Sequence, residues 1–211
     1  NIETLTEQPP LRLNGTVGAS VLANTMNGAP RRQSPFTWLA AGSATAEVYG
    51  ITIPFSFAFS ERERSFQQPF NEFGLSPQWK WITLHAGSRS LYWSRYSNAG
   101  IRFLGAGVEA QTGDFFIGAL YGRLQRAVEE DSTNRYAVPA YRRMGGGLHF
   151  GMGNEEGNLQ ASFFMATDDT TSLSGPPSGV LPMQNATLAV SGLFQFVDGV
   201  SLEVDVGSSL L

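Results

Sequence analysis

The chain has 211 residues, a formal net charge of −4, 15 % charged residues, 24 glycines and no cysteine. The missing cysteines exclude disulfides, thiolate nucleophiles and cysteine-based zinc sites, and scattered Lys and Arg with no basic stripe argue against a nucleic-acid partner. The longest apolar runs are only a few residues, far short of the about 20 that a helix needs to cross a bilayer, yet charge content lies below the about 25 % of an ordinary soluble domain.

Along the chain, Asn1 to Pro10 shows no basic start followed by an apolar run, as expected of a mature chain. Two-residue alternation then dominates. It is clearest where Ile51, Ile53, Phe55, Phe57 and Phe59 alternate with Thr52, Pro54, Ser56, Ala58 and Ser60, as a pleated strand requires. From Tyr141 to Gly153, Arg143, Gly145, Gly147, His149 and Gly151 oppose Met144, Leu148, Phe150 and Met152. Leu159, Ala161, Phe163 and Met165 alternate with Gln160, Ser162, Phe164 and Ala166. At the end, Val200, Leu202, Val204 and Val206 oppose Ser201, Glu203, Asp205 and Gly207. Acids on one face and valines on the other suit a wall with lipid outside and a wet lumen within. The competing soluble β-sandwich would have to bury those valines.

Turn residues separate two kinds of connection. Short ones fall at Tyr49-Gly50, Thr112-Gly113, Gly153 to Gly157 and Asp198-Gly199. Longer polar ones fall at about Thr25 to Pro35, Glu61 to Pro69, Ser90 to Ala99, Val128 to Pro139 and Asp169 to Gln184. Long and short must alternate in an up-and-down barrel, which requires a further strand at about Phe70 to Leu75, a Ser76-Pro77 turn, and a strand from Gln78 to Arg89. The expected fold is an all-β, antiparallel up-and-down transmembrane β-barrel with about eleven strands. It forms a single domain over residues 1–211, with 1–10 as a periplasmic lead-in. Bacterial barrels normally have an even number of strands, so this one is expected to be part of a larger barrel, completed by further sequence or by another chain.

Short turns on the periplasmic side and long loops outside orient it. Tyr49, Trp79 and Trp81 lie near the short-turn rim, and Trp38, Tyr92, Trp93, Tyr96, Tyr136 and Tyr141 near the other, where interfacial aromatics belong. The run from Val48 to Asp169 resembles a group of outer-membrane barrel proteins of the Bacteroidota. The residues carrying this are YGITIPFSFAFSE (Tyr49 to Glu61), RSFQQPFNEFGLSPQWKWITLHAG (Arg64 to Gly87), FLGAGVEAQTGDFFIGALYGRLQRA (Phe103 to Ala127) and YRRMGGGLHFGMG (Tyr141 to Gly153). The resemblance implies a porin-like barrel in the outer membrane, facing lipid and lipopolysaccharide, and supplies no catalytic residues to carry over.

The titratable groups are the candidates for chemistry. Neither histidine has a same-strand serine on its own face: Ser88 stands opposite His85, and His149 has Gly147 and Gly151 beside it. A cross-strand partner is the remaining route to a nucleophile, and no catalytic residue is expected. Asp168-Asp169 and Glu129-Glu130-Asp131 have no regular calcium-loop spacing, so they read as solvated loop charges; no metal or cofactor is expected. Arg89, Arg95, Arg102, Arg123, Arg126, Arg142 and Arg143 gather toward the long-loop ends. They either form a wall ladder with lumen acids such as Glu109, filter anions, or meet lipopolysaccharide phosphates. The expected lumen or mouth lining is Arg89, Arg102, Glu109, Arg123, Arg143, His149, Glu203 and Asp205. Tyr92, Trp93, Arg95 and Tyr96 lie on a loop too apolar to stand free in water, so they are expected to fold inward as a constriction or to dock on a partner. The glycine-rich GAGVE and GGGLHFGMG segments lack the following helix that a phosphate loop needs. Three functions result, in this order: a structural or docking component of an envelope assembly, a porin-like solute channel, and a membrane-surface hydrolase.

Overall fold

The computed structural model describes residues 11–23, 25, 36–60, 71–130, 138–154, 157–197 and 199–211. The N-terminal lead-in, most of the connections expected at 25–35 and 61–69, and Asp131, Tyr136 and Asp198 lie outside them.

The dyads become strands: β1 (Leu11–Ala23), β2 (Phe36–Val48), β3 (Ile51–Ser60), β4 (Glu72–Leu75), β5 (Gln78–Trp79), β6 (Ile82–Tyr92), β7 (Ala99–Thr112), β8 (Phe115–Gln125), β9 (Arg142–Gly153), β10 (Gly157–Asp169), β11 (Gln184–Val197) and β12 (Val200–Leu210). All pair antiparallel with their sequence neighbours in one meandering sheet, with β4 and β5 both lying between β3 and β6. Most strands run 10 to 14 residues. The about 9–11 residues that a tilted strand needs to cross a bilayer fit within that length.

β4 and β5 correct one expectation. Gly74 pairs with Gly87, and Gln78 with Thr83, in one unbroken register that sets Ser76 opposite His85. Ser76-Pro77 is therefore not a turn. The chain runs straight on, and the strand is interrupted because Pro77 has no N–H for the ladder. Ser76 still donates to the Pro54 carbonyl at 2.9 Å, and Leu84 to the Pro77 carbonyl at 2.9 Å. The tight turn falls instead at Lys80-Trp81, between the paired Trp79 and Ile82, with Lys80 at φ 53°. Moving the turn leaves the count unchanged: twelve segments fill eleven positions. With an odd number of antiparallel positions, β1 and β12 run the same way, and among the described residues they do not pair with each other.

The sheet curls. β6 and β12 are six positions apart, roughly 29 Å in a flat sheet at about 4.8 Å per strand. Yet Arg95, three residues beyond β6, reaches Asp205 on β12 at 3.2 Å. Only a barrel-like wall wrapped around the β6–β7 connection allows this. The inner face is the one this connection packs against. There, Leu91, Trp93, Phe103, Leu120, Leu124 and Phe164 form a buried cluster, with Phe103 1 % exposed.

The outer face is apolar across the strand centres. Leu13 and Val17 on β1, Phe55 on β3, Leu84 on β6, Ile117 on β8 and Leu188 on β11 are all exposed there. The registers join them into one band: Ala44 meets Phe55, Ala119 meets Leu148, and Phe163 meets Leu188.

Candidate functional site within the barrel

The β6–β7 connection turns inward, as one of its two expected arrangements requires. Trp93 is 3 % exposed and lies flat on the His149 ring, whose other neighbour is Phe116; the centroid separations are 5.5 and 5.2 Å. Glycine makes the space. A Cβ on Gly147 would stand 2.7 Å from the Trp93 ring, and one on Gly207 would collide with Tyr96. The loop is then tied at several points. Ser94 Oγ donates to Asp205 at 3.1 Å, Arg95 Nε pairs with the same carboxylate at 3.2 Å and Nη2 with Glu203 at 3.9 Å, and Ser97 shares a 2.6 Å hydrogen bond with Ser162. Glu203 and Asp205 thus lie inside, as expected, but they serve as anchors for this loop. Of the four loop residues, Trp93 is buried, Arg95 and Tyr96 face β12, and Tyr92 alone is strongly exposed on the outer face.

The arginines mostly form a wall ladder. Arg143 makes a two-pronged contact with Asp168, its direct cross-strand partner, at 2.7 and 2.9 Å. Arg142 pairs with Asp169. Arg89 reaches over Gly74 to donate to Ser56 Oγ at 3.2 Å and to the Pro54 carbonyl at 3.1 Å, bracing the interrupted strand. Two residues expected at the lumen or mouth alternate away from the inner face. Arg123 shares the outer face with Ile117 and Tyr121, because pleating alternates it with the buried Gly122 and Leu124. Arg102 alternates with buried Phe103 in the same way and pairs with Glu72. Both sit at the long-loop ends of their strands.

Glu109 does not join an arginine ladder. His85 Nε2 lies 3.0 Å from the Glu109 carboxylate, and His85 Nδ1 lies 2.9 Å from Ser76 Oγ. His149 Nε2 contacts Gln160 Oε1 at 2.9 Å. Near these groups is a cavity of about 400 Å³ whose polar lining includes Gln78, Lys80, Thr83, Glu109, Gln111 and His149. It lies toward the short-turn end, with Lys80 and Trp81 of the tight turn at its edge.

At the opposite end the acids thought to be solvated are latched. Glu129 accepts from the Ser174 amide and hydroxyl, both at 3.0 Å, Glu130 accepts from the Ser178 amide at 3.2 Å, and Asp168 also accepts from the Met183 amide at 3.0 Å. The β8–β9 and β10–β11 connections are thereby clipped into one cap. Among the described residues no cluster of three or more His, Asp or Glu side chains has the geometry to hold a metal ion, and no helix is long and apolar enough to cross a membrane, which says nothing about strands.

The barrel-like all-β wall with an inward loop defines the class of architecture. Comparison with protein-family models, curated proteins and solved structures finds no match.

Proposed function

We propose that this chain is an integral outer-membrane β-barrel acting as a structural or docking component of an envelope assembly. The observation that carries the membrane part is the outer face, where exposed side chains such as Val17, Phe55, Ile117, Phe150 and Leu188 make one apolar band around the wall. A patch of that extent is costly in water, whereas a barrel in lipid needs an apolar band of this kind. A contact of lipopolysaccharide phosphates with Arg123, on the outer face at the long-loop end of its strand, fits this reading. The sequence resemblance to outer-membrane barrels agrees with this.

The inward β6–β7 connection, which fills the interior beside β6 to β10, favours structure over conduction. Trp93 and its cluster occupy part of the space a solute would use, and of the residues expected to line it Arg143, Glu203 and Asp205 are held in ion pairs. What remains for a partner is the outer cap, clipped together by Glu129 and Glu130, with Leu181 and Val138 exposed on it. Two measurements test the proposal. The protein is expected to resist alkaline or high-salt extraction from membranes and to dissolve only with detergent. In planar bilayers it is expected to show no stable open-pore conductance. Release into water without detergent would overturn the membrane part; steady conductance by the unaltered protein would favour the porin-like channel instead.

A further inference from the structure

The cross-strand contacts of His85 bring together three groups that are far apart in sequence. Ser76 stands directly opposite His85 in the register, and Glu109 lies one strand further on, diagonal to it. An ionised carboxylate can only accept, so the His85 nitrogen facing Glu109 must carry the proton. In the neutral ring that leaves Nδ1 as an acceptor, and the Ser76 hydroxyl as the donor to it. A serine hydroxyl bonded to an imidazole whose far nitrogen is held by a carboxylate is the arrangement that activates a serine nucleophile.

We propose that Ser76, His85 and Glu109 form a hydrolytic site for small, water-soluble carboxylic esters, entered from the short-turn end. The cavity of about 400 Å³ adjoins it: Gln78 and Thr83, next along the strands on the same face, and Glu109 all line that cavity. The size lies within the range of small-molecule pockets, about 300–1,000 Å³. The ester carbonyl oxygen there meets the Gln78 amide and Thr83 hydroxyl, and Trp93 stacked on His149 bounds the site toward the long-loop end.

Ser76 Oγ attacks the ester carbonyl carbon as His85 Nδ1 takes its proton. The C–O bond to the alcohol breaks, and the proton passes from His85 to the departing oxygen. Water then adds to the Ser76 acyl ester, losing a proton to His85, and Ser76 leaves as the free hydroxyl with the carboxylic acid as product. Glu109 is a positioning residue: it fixes the imidazole tautomer and stabilises the protonated ring.

The site does not depend on membrane location, so the test is made on the whole protein in whichever fraction it is found. A fluorophosphonate probe is expected to label the unaltered protein on Ser76, located by mass spectrometry of the peptide. Labelling should vanish in Ser76→Ala, and its rate should fall at least tenfold in Glu109→Gln, with a changed pH profile. The absence of label on Ser76 in the unaltered, folded protein would overturn the proposal regardless of how the variants fold, as would labelling that persists undiminished in His85→Asn. Label confined to other hydroxyls overturns it too, leaving the Ser76–His85–Glu109 chain a structural brace.

Discussion

Trp93 lies against His149 with ring centroids 5.5 Å apart and planes inclined by 22°. One ring belongs to a connection between strands and the other to the wall, so this contact decides whether the interior is filled.

Replacing Trp93 by alanine should therefore release the loop as well as remove a side chain. A buried Trp→Ala change costs about 3–5 kcal/mol, and the urea midpoint should fall accordingly. Gly147→Ala attacks the same seat from the other side, because its Cβ would press on the Trp93 ring. It should cost about 1–3 kcal/mol as an overpacking change. Combined, the two should cost only slightly less than their sum, since losing Trp93 relieves one contact of the added methyl while the Phe163 carbonyl, 2.5 Å away, still opposes it.

Arg143 and Asp168 give a different prediction. The Asp168 side chain is only 5 % exposed and that of Arg143 34 %. Arg143→Met strands a buried carboxylate and should cost about 3 kcal/mol, the lower end for breaking a buried pair. Adding Asp168→Asn should recover part of this. A double-mutant cycle in denaturant should return a coupling of about 1–3 kcal/mol; additive losses would mean the two side chains do not act as a pair.

Leu188→Arg probes the outer face. Leu188 is 53 % exposed on the outer face of β11, opposite Phe163. In a bilayer the change should cost about 2–4 kcal/mol at mid-depth. On a water-facing surface it should stay within about 0.5 kcal/mol. Measuring folding into lipid vesicles separates the two.

Much of the wall was legible from pleat parity. Two-residue periodicity, which needs no tertiary information, sets Glu203, Asp205, Arg143 and His149 on the inner face, and the inner glycines point to a crowded interior. The Arg143–Asp168 pair was within reach as well, since the short connection at 153–157 fixes which residues meet across that hairpin. Nearness to a loop suggests a mouth position for Arg102 and Arg123, while parity sets both on the face opposite their buried neighbours Phe103 and Gly122. Ser76 was missed for a specific reason. Serine before proline has the local chemistry of a turn, and only the pairing of both flanks with β3 and β6 keeps this one extended. With Ser76 read as a turn, His85 had no hydroxyl partner in view.

That interrupted strand has a mechanical consequence. Between β3 and β6 the wall hangs on the four residues of β4 and the two of β5, so fewer ladder pairs hold this seam than any other junction in the described sheet. Regions with few backbone hydrogen bonds open first. Apart from its unpaired β1 and β12 edges, the described wall thus has one thin stave, strapped by the Arg89 guanidinium to the Pro54 carbonyl and Ser56. Parting that stave gives a sideways way in or out, directly beside Ser76 and His85, that never has to pass Trp93.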